Sequence, residues 1–308
     1  MSGALRGGAA PLVRVTEFTD PACPWAWGSE PSFRLLRHTL SEQAEWRTVF
    51  GILFDEDDDP PPDPDAEARW YDGFIRDVTV HTGAPYAHRL RRLTRTSWPA
   101  SQAAKAAQSQ GPETAERVLR RLRETTFVVG DPADSPEGVG HALRGTDGLD
   151  LPRLSRDLVA RATRAAVGAD RALARDPVPE VCGPQGPGPH SGQAKELTEG
   201  RRYALPTLLF DGAGGRVCVP GWRPFATYLE AAARAAGGPV PAPSPLSPEA
   251  AMERWPSLTG PELTLFTGAS TPPDGAVRVD TAGGPLWLRP DEARTHPATR
   301  QPWRPYEL

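Results

Sequence analysis

The chain has 308 residues, 24% of them charged, and a net charge of −4. It contains no apolar run near the roughly 18 residues that a membrane helix needs, and its first 20 residues lack the apolar segment and cleavage site of a leader. Its three cysteines are too few for a disulfide scaffold of this length, and its mixed charge argues against a dedicated nucleic-acid binder. The expectation is a cytoplasmic protein with neither membrane nor nucleic acid as partner, in which a cysteine is more chemical than structural.

Residues 1–11 read as a loose terminus. Leu12 to Phe18 alternates and is β-rich, which predicts a strand. Thr19-Asp20-Pro21-Ala22 breaks it, and Asp-Pro gives Asp20 a turn role. An apolar helical pattern then runs from about Pro24 to Leu40, and 46–54 predicts a second strand. Asp55 to Asp65 mixes like charges with prolines and reads as a solvated loop.

From about Ala66 to Arg175 the chain reads almost wholly helical. Pro112 to Phe127 opens on Pro and Glu, as a helix start should. Its Arg117, Arg120, Arg121 and Arg123 predict a solvated face, offset by Glu113, Glu116 and Glu124. Residues 176–200 are Pro/Gly-rich loop. Leu205 to Phe210 predicts a strand and Arg216 to Val219 its hairpin partner. The Gly212-Ala213-Gly214-Gly215 turn between them joins two strands and so is no phosphate loop. Pro224 to Ala236 closes as a helix at Gly237-Gly238. Residues 239–247 read as linker, and the tail holds strand-like pieces at 262–267, 276–280 and 285–289.

With the helical block set aside, the order is βαβ followed by ββα, the thioredoxin arrangement. The block is too long for a loop and reads as an inserted subdomain. The fold class is therefore α/β: a thioredoxin fold with a long all-helical insertion between the second and third strands and a small C-terminal extension. The corresponding divisions are 12–60 with 200–238 for the thioredoxin-like part, 61–199 for the insertion and its connecting loop, and 239–308 for the linker and extension.

Cys23 stands between the first strand and the first helix. Unpaired N–H groups and partial positive charge at a helix start stabilise a thiolate, so a lowered pKa is expected. Pro24 suits the first helical position. Trp25 is expected at the surface beside the sulfur, and Trp27 in the core. The histidines His81, His88, His141 and His190 show no metal-binding spacing. His88 and His190 are the ones that could reach the cleft in space.

Phe18-Thr19-Asp20-Pro21-Ala22-Cys23-Pro24-Trp25-Ala26-Trp27, followed by Glu30-Pro31 and Arg34-Leu35, resembles the active-site segment of the DsbA-like thiol-disulfide oxidoreductases. It is most similar to their FrnE-type branch of dithiol-disulfide isomerases, and the likeness extends over roughly 12–236. It implies Cys23 as nucleophile, with Pro24, Trp25, Ala26, Leu205 and Pro206 lining the substrate site. It also implies a cis Pro206 opposite the cysteine, the Leu205 backbone pairing with an extended substrate. The motif departs from the family at Ala26, where a second cysteine would resolve the mixed disulfide. Cys182 and Cys218 are the possible distant resolvers.

The first functional reading is a single-cysteine oxidoreductase or isomerase acting on protein or small-thiol disulfides. It needs no cofactor, with glutathione or mycothiol as a possible co-substrate. The alternative is an adaptor that binds a protein partner without redox turnover, since the segment is also similar to thioredoxin-like Clp protease adaptors. The third is a glutathione- or mycothiol-dependent isomerase resembling 2-hydroxychromene-2-carboxylate isomerase, in which Cys23 would replace a usual serine.

Overall fold

The structure, a computed structural model, describes residues 11–56, 62–183 and 188–300. Strand β1 (Val13–Thr19) is followed by helix α1 (Pro24–Leu40) and strand β2 (Ala44–Phe50). The insertion comprises α2 (Pro64–Thr82), α3 (Trp98–Ala107), α4 (Pro112–Phe127), α5 (Pro136–Leu143), α6 (Leu151–Leu158) and α7 (Arg161–Ala174). Then come the short strands β3 (Lys195–Glu196) and β4 (Arg201–Arg202), the hairpin β5 (Thr207–Gly212) and β6 (Gly215–Pro220), and helix α8 (Phe225–Ala236). The extension folds as α9 (Pro248–Arg254), β7 (Ser257–Thr259), α10 (Gly260–Thr267), β8 (Val277–Val279), β9 (Leu286–Leu288) and α11 (Pro290–Ala293).

The main sheet has the order β2-β1-β5-β6, with β1 parallel to β2 and antiparallel to β5. This is the expected α/β thioredoxin arrangement. Period-two burial of Val13 and Val15 puts them on one face with Leu208 and Phe210, where Phe33, Leu36 and Leu40 of α1 and Tyr228 and Ala232 of α8 cover them. The opposite face carries Phe18, Val49, Leu205 and Leu209, covered from the insertion by Val78 and Ala174 and by Val181 after it. The insertion has its own core of Ala103, Val118, Leu122, Leu143, Leu154 and Val167.

Several sequence expectations are corrected. The second strand runs over 44–50 instead of 46–54, and a non-helical connection separates α2 from α3 within the helical block. Residues 262–267 lie in α10, not a strand. Its helix signals were present: Thr259 and Glu262 form a capping box, Pro261 occupies the first turn and Gly268 ends the helix at φ 72°. Asp55 belongs to no solvated loop. It is buried and accepts hydrogen bonds from Trp98, Arg171 and Arg175. Residues 57–61 of that run lie outside the described residues.

The largest correction concerns α4. Arg120, Arg121 and Arg123 are buried, at 4%, 1% and 0% exposure. Arg120 makes two bonds to Glu262 of α10 (2.9 and 2.8 Å), one to Glu124 (2.7 Å) and a longer one to Glu30 of α1 (3.4 Å). Arg34 of α1 reaches the same Glu262 at 2.7 Å. Arg123 pairs with Glu30 and contacts Glu17, Arg121 pairs with Glu292, and His296 meets Glu124 at 3.0 Å. The periodicity of α4 was polar on this face, but the extension and α1 wall it in and supply the carboxylates. Burial alone would raise the carboxyl pKa values of Glu124 and Glu262. Arg120, with His296 for Glu124 and Arg34 for Glu262, outweighs it and holds both below the usual range.

Candidate functional site

Cys23 is the N-cap of α1, with extended backbone at φ −85° and ψ 118°. Pro24 at the first helical position lacks the N–H that would be orphaned there, so the chain turns into helix directly after the cysteine. Asp20 fixes the preceding turn. Its carboxylate accepts from the Ala22 and Leu53 amides (2.8 and 2.7 Å) and from the Ser97 hydroxyl (3.0 Å). The expected turn role is present, widened to tie β1 to the chain after β2 and to the start of α3.

The Leu205–Pro206 peptide is cis. It brings the Leu205 carbonyl against Cys23, whose Sγ–H donates to it at 3.4 Å. The structure thus gathers Cys23, Pro24, Trp25, Ala26 and the Leu205–Pro206 segment at one end of the sheet. All six are buried.

The thiol is not activated in this state. Cys23 is 4% exposed. Burial pushes its pKa up to about 11, the Asp20 carboxylate adds to the rise, and the Ala26 and Trp25 amides and the Arg202 guanidinium oppose it without prevailing. The helix-start contribution is present as expected. It is smaller than the cost of desolvating a thiolate. Asp20 is raised as well, burial outweighing its three donors.

Trp25 is not at the surface. It is 9% exposed and sits inside a collar of rings. His190 meets it edge-on with centroids 4.9 Å apart, His81 stacks at 6.1 Å and Trp222 tilts at 6.4 Å. Trp27 packs in the core, as expected. Its indole N–H donates to the Pro85 carbonyl at 2.8 Å, and it stacks on Phe127.

His190 reaches the cleft, whereas His88 is exposed. His190 Nδ1 accepts from the Gly192 amide at 3.0 Å, and its carbonyl accepts from Arg223 at 2.9 Å. Gly221, at φ 77°, allows this packing: a Cβ there would lie 2.4 Å from His190 Nδ1. Burial lowers the His190 pKa to about 4, with Lys195 and Arg223 adding to the fall and the Leu205 backbone partly opposing it. Both His190 and His81 join Trp25 from far along the chain, so local sequence carried no signal for the collar.

Cys182 and Cys218 are half-buried free thiols in the same apolar cluster as Cys23. Burial pushes Cys218 up to about 12, and Cys182 Sγ lies 3.7 Å from the Val178 carbonyl. Among the described residues no group of His, Cys, Asp and Glu is arranged to hold a metal ion, and no helix is long and apolar enough to cross a membrane.

A family model described as thioredoxin matches residues 17–178, just over half of the chain. The ClpXP adapter protein SpxH of Shouchella clausii is 26% identical over 161 residues, covering 51% of this chain and 52% of that protein. The chain thus spans about half the length of that curated relative. Among solved structures, a candidate protein disulfide isomerase from Nitrosomonas europaea superposes with a TM-score of 0.54 at 14% identity, over 71% of this chain and 94% of that one. The cytosolic disulfide reductase DsbM of Pseudomonas aeruginosa gives 0.50 at 15% identity, over 72% and 93%. At these identities the structural likeness shows the fold.

Proposed function

This chain belongs to the thioredoxin family, and from that premise we propose that it carries out thiol–disulfide exchange through Cys23 alone. One observation carries the reading. The Cys23 sulfur lies at the first turn of α1, under the Trp25 and Ala26 amides and against the carbonyl that precedes the cis Pro206. The largest cause of its raised pKa is burial, which opening of the collar removes, while the two amides stay with the helix.

In the reaction the Cys23 thiol loses its proton and the thiolate attacks one sulfur of a substrate disulfide. A Cys23–substrate disulfide forms, the substrate S–S bond breaks, and the departing thiolate takes up a proton. With Ala26 in the fourth position, release falls to a second thiol, either of the substrate or of a small molecule such as glutathione or mycothiol. That thiol forms a new disulfide and returns Cys23 reduced, so the protein undergoes no net redox change. A small-thiol pool suits operation in the cytoplasm. An extended substrate would pair with Leu205 once the Cys23 sulfur leaves its carbonyl. The disulfide chemistry named for DsbM supports this reading.

The test is trapping. Incubation with an excess of peptide disulfide, quenched in acid and weighed intact, should give one adduct on the wild type and none at that site in Cys23→Ser. An adduct count unchanged by Cys23→Ser overturns the proposal. The buried, protonated resting state of Cys23 favours a second reading, a protein-binding adaptor, supported by the likeness to SpxH. Under it, capture of a ClpXP client survives Cys23→Ser and no adduct forms.

A further inference from the structure

One face of α2 is open to solvent and leads to the Cys23 site. At 3.6 residues per turn, Glu67, Trp70, Phe74, Asp77 and His81 fall within about 80° of one another around that helix. Trp70 is 61% exposed, whereas the other described tryptophans are buried or half-buried. It stacks on Phe74, with centroids 5.7 Å apart and planes 9° from parallel. Phe74 packs in turn against the cluster that holds Cys23 and Trp25. Further along the same face, His81 is the exposed member of the collar, stacked on Trp25. An aromatic path therefore runs from solvent to the collar of the Cys23 site.

The charge on this face is acidic. Glu67 stands in the first turn of α2, where the helix dipole favours an acid. Asp77 has no such reason: it stands in the last third of the helix, is exposed and makes no ion pair among the described residues. The arginines of α2, Arg69 and Arg76, lie about 100° or more around the helix from Trp70, and Arg76 is bonded to Asp72 at 3.0 Å. A cation on a docked partner is the counter-charge that the helix does not supply, and lysine or arginine also binds over an indole face. Stacking on Phe74 already holds the Trp70 ring, so docking there costs less side-chain freedom than on a mobile indole.

We propose that this face of α2 is the docking track for polypeptide substrates of the Cys23 site, with lysine or arginine flanking the reacting cysteine and a large apolar residue seated on Trp70. The proposal rests on Cys23 being the exchanging thiol and names its substrate class. The spacing follows from the helix. Trp70 and His81 are separated by about 16 Å along the axis, which an extended chain spans in about five residues. The apolar residue therefore stands about five positions from the cysteine, with the cations between them.

The probe is the symmetric disulfide of a peptide with a central cysteine, leucine about five positions to either side and lysines between, so that either chain direction fits. Analogues carry glycine for the leucines or glutamate for the lysines. Each exchange joins one half of the disulfide to Cys23 and releases the other half as a thiol, which takes the Cys23 proton. Adduct formation on the full chain is followed by intact mass, corrected by subtracting Cys23→Ala and normalised to the rate of mercaptoethanol with the same disulfide. The leucine peptide should outrun the glycine analogue by about tenfold, and Trp70→Ala should bring the two together. The lysine peptide should outrun the glutamate analogue by about tenfold at low salt. That ratio should shrink as salt shortens the screening length, and Asp77→Lys should lower it.

Equal rates for the leucine and glycine peptides or for the lysine and glutamate peptides, or a leucine preference that Trp70→Ala leaves unchanged, overturn the docking track. Cys23 exchange then still stands if the small neutral disulfide dithiodipyridine reacts above the Cys23→Ala background. A leucine-peptide rate that falls as the protein dimerises with rising concentration gives the face to a second copy and overturns the track as well. No reaction above background with any of these disulfides overturns the thiol-exchange reading itself, and the substrate class with it.

Discussion

The Cys23 site and the arginine cluster of α4 are both buried groups of ionisable side chains, and they resolve burial in opposite ways. Around α4, Glu124 and Glu262 meet guanidinium groups at hydrogen-bonding distance and are held ionised below the usual carboxyl range. At the other site Asp20 and Cys23 meet mainly amides, a hydroxyl and a carbonyl, and both are raised. Desolvation acts at both places. The outcome is decided by a directly bonded counter-charge, which α4 has and Cys23 lacks.

The sharpest way to break this comparison is to remove the counter-charge from α4. Glu262→Gln leaves Arg34 and Arg120 short of a shared carboxylate in a buried setting, and should destabilise the fold by about 3–5 kcal/mol. The measurement is the shift of the denaturant midpoint at constant m-value. A shift under about 1 kcal/mol would mean that water or Glu30 compensates the guanidiniums.

A smaller effect belongs to His190, which is buried neutral. Its pKa is depressed to about 4 from 6.5, so its contribution to stability is present above pH 6.5 and lost as pH falls toward 4. That loss amounts to roughly 3 kcal/mol. His190→Gln should flatten the pH dependence of the denaturant midpoint over this window. An equal slope in both proteins would place the loss on other groups.

The smallest effect sharpens the Cys23 side. Its alkylation rate on the folded protein should rise with pH toward a midpoint near 11, and Asp20→Asn should move that midpoint down, since the Asp20 charge opposes the thiolate. Stability follows the same sign. The contribution of the neutral thiol is intact below its usual pKa near 9 and is lost as pH rises from there through 11. A midpoint below 9 in the wild type would show that the helix-start amides prevail over burial.

Local rules carried much of the fold. The β-rich alternation of Val13 to Phe18, Pro24 at the start of α1 and the glycine turn between β5 and β6 all read directly from the sequence, and the helix bounds Pro24–Leu40 agree with the structure. The positions of Cys23 and Pro206 followed from the same order. What local rules could not supply was the environment. Arg120 and Arg123 look solvated until Glu30 and Glu262 arrive from 90 or more residues away. Likewise, a thiol at a helix start looks activated until His190 and the neighbouring rings close over Trp25. Burial is a property of the assembled chain, and it reversed both readings.

Glu262 has one more consequence. Its Oε2 accepts from the Thr259 amide at 2.7 Å, capping α10, while the same carboxylate binds Arg34 and Arg120. Starting that helix and neutralising the wall of α4 are therefore a single act of one side chain. The linker at 242–245, exposed at residues 242, 244 and 245, is then a place where the backbone can be cut without parting the molecule. A protease nick there should yield two pieces that elute together as one particle and separate only in denaturant.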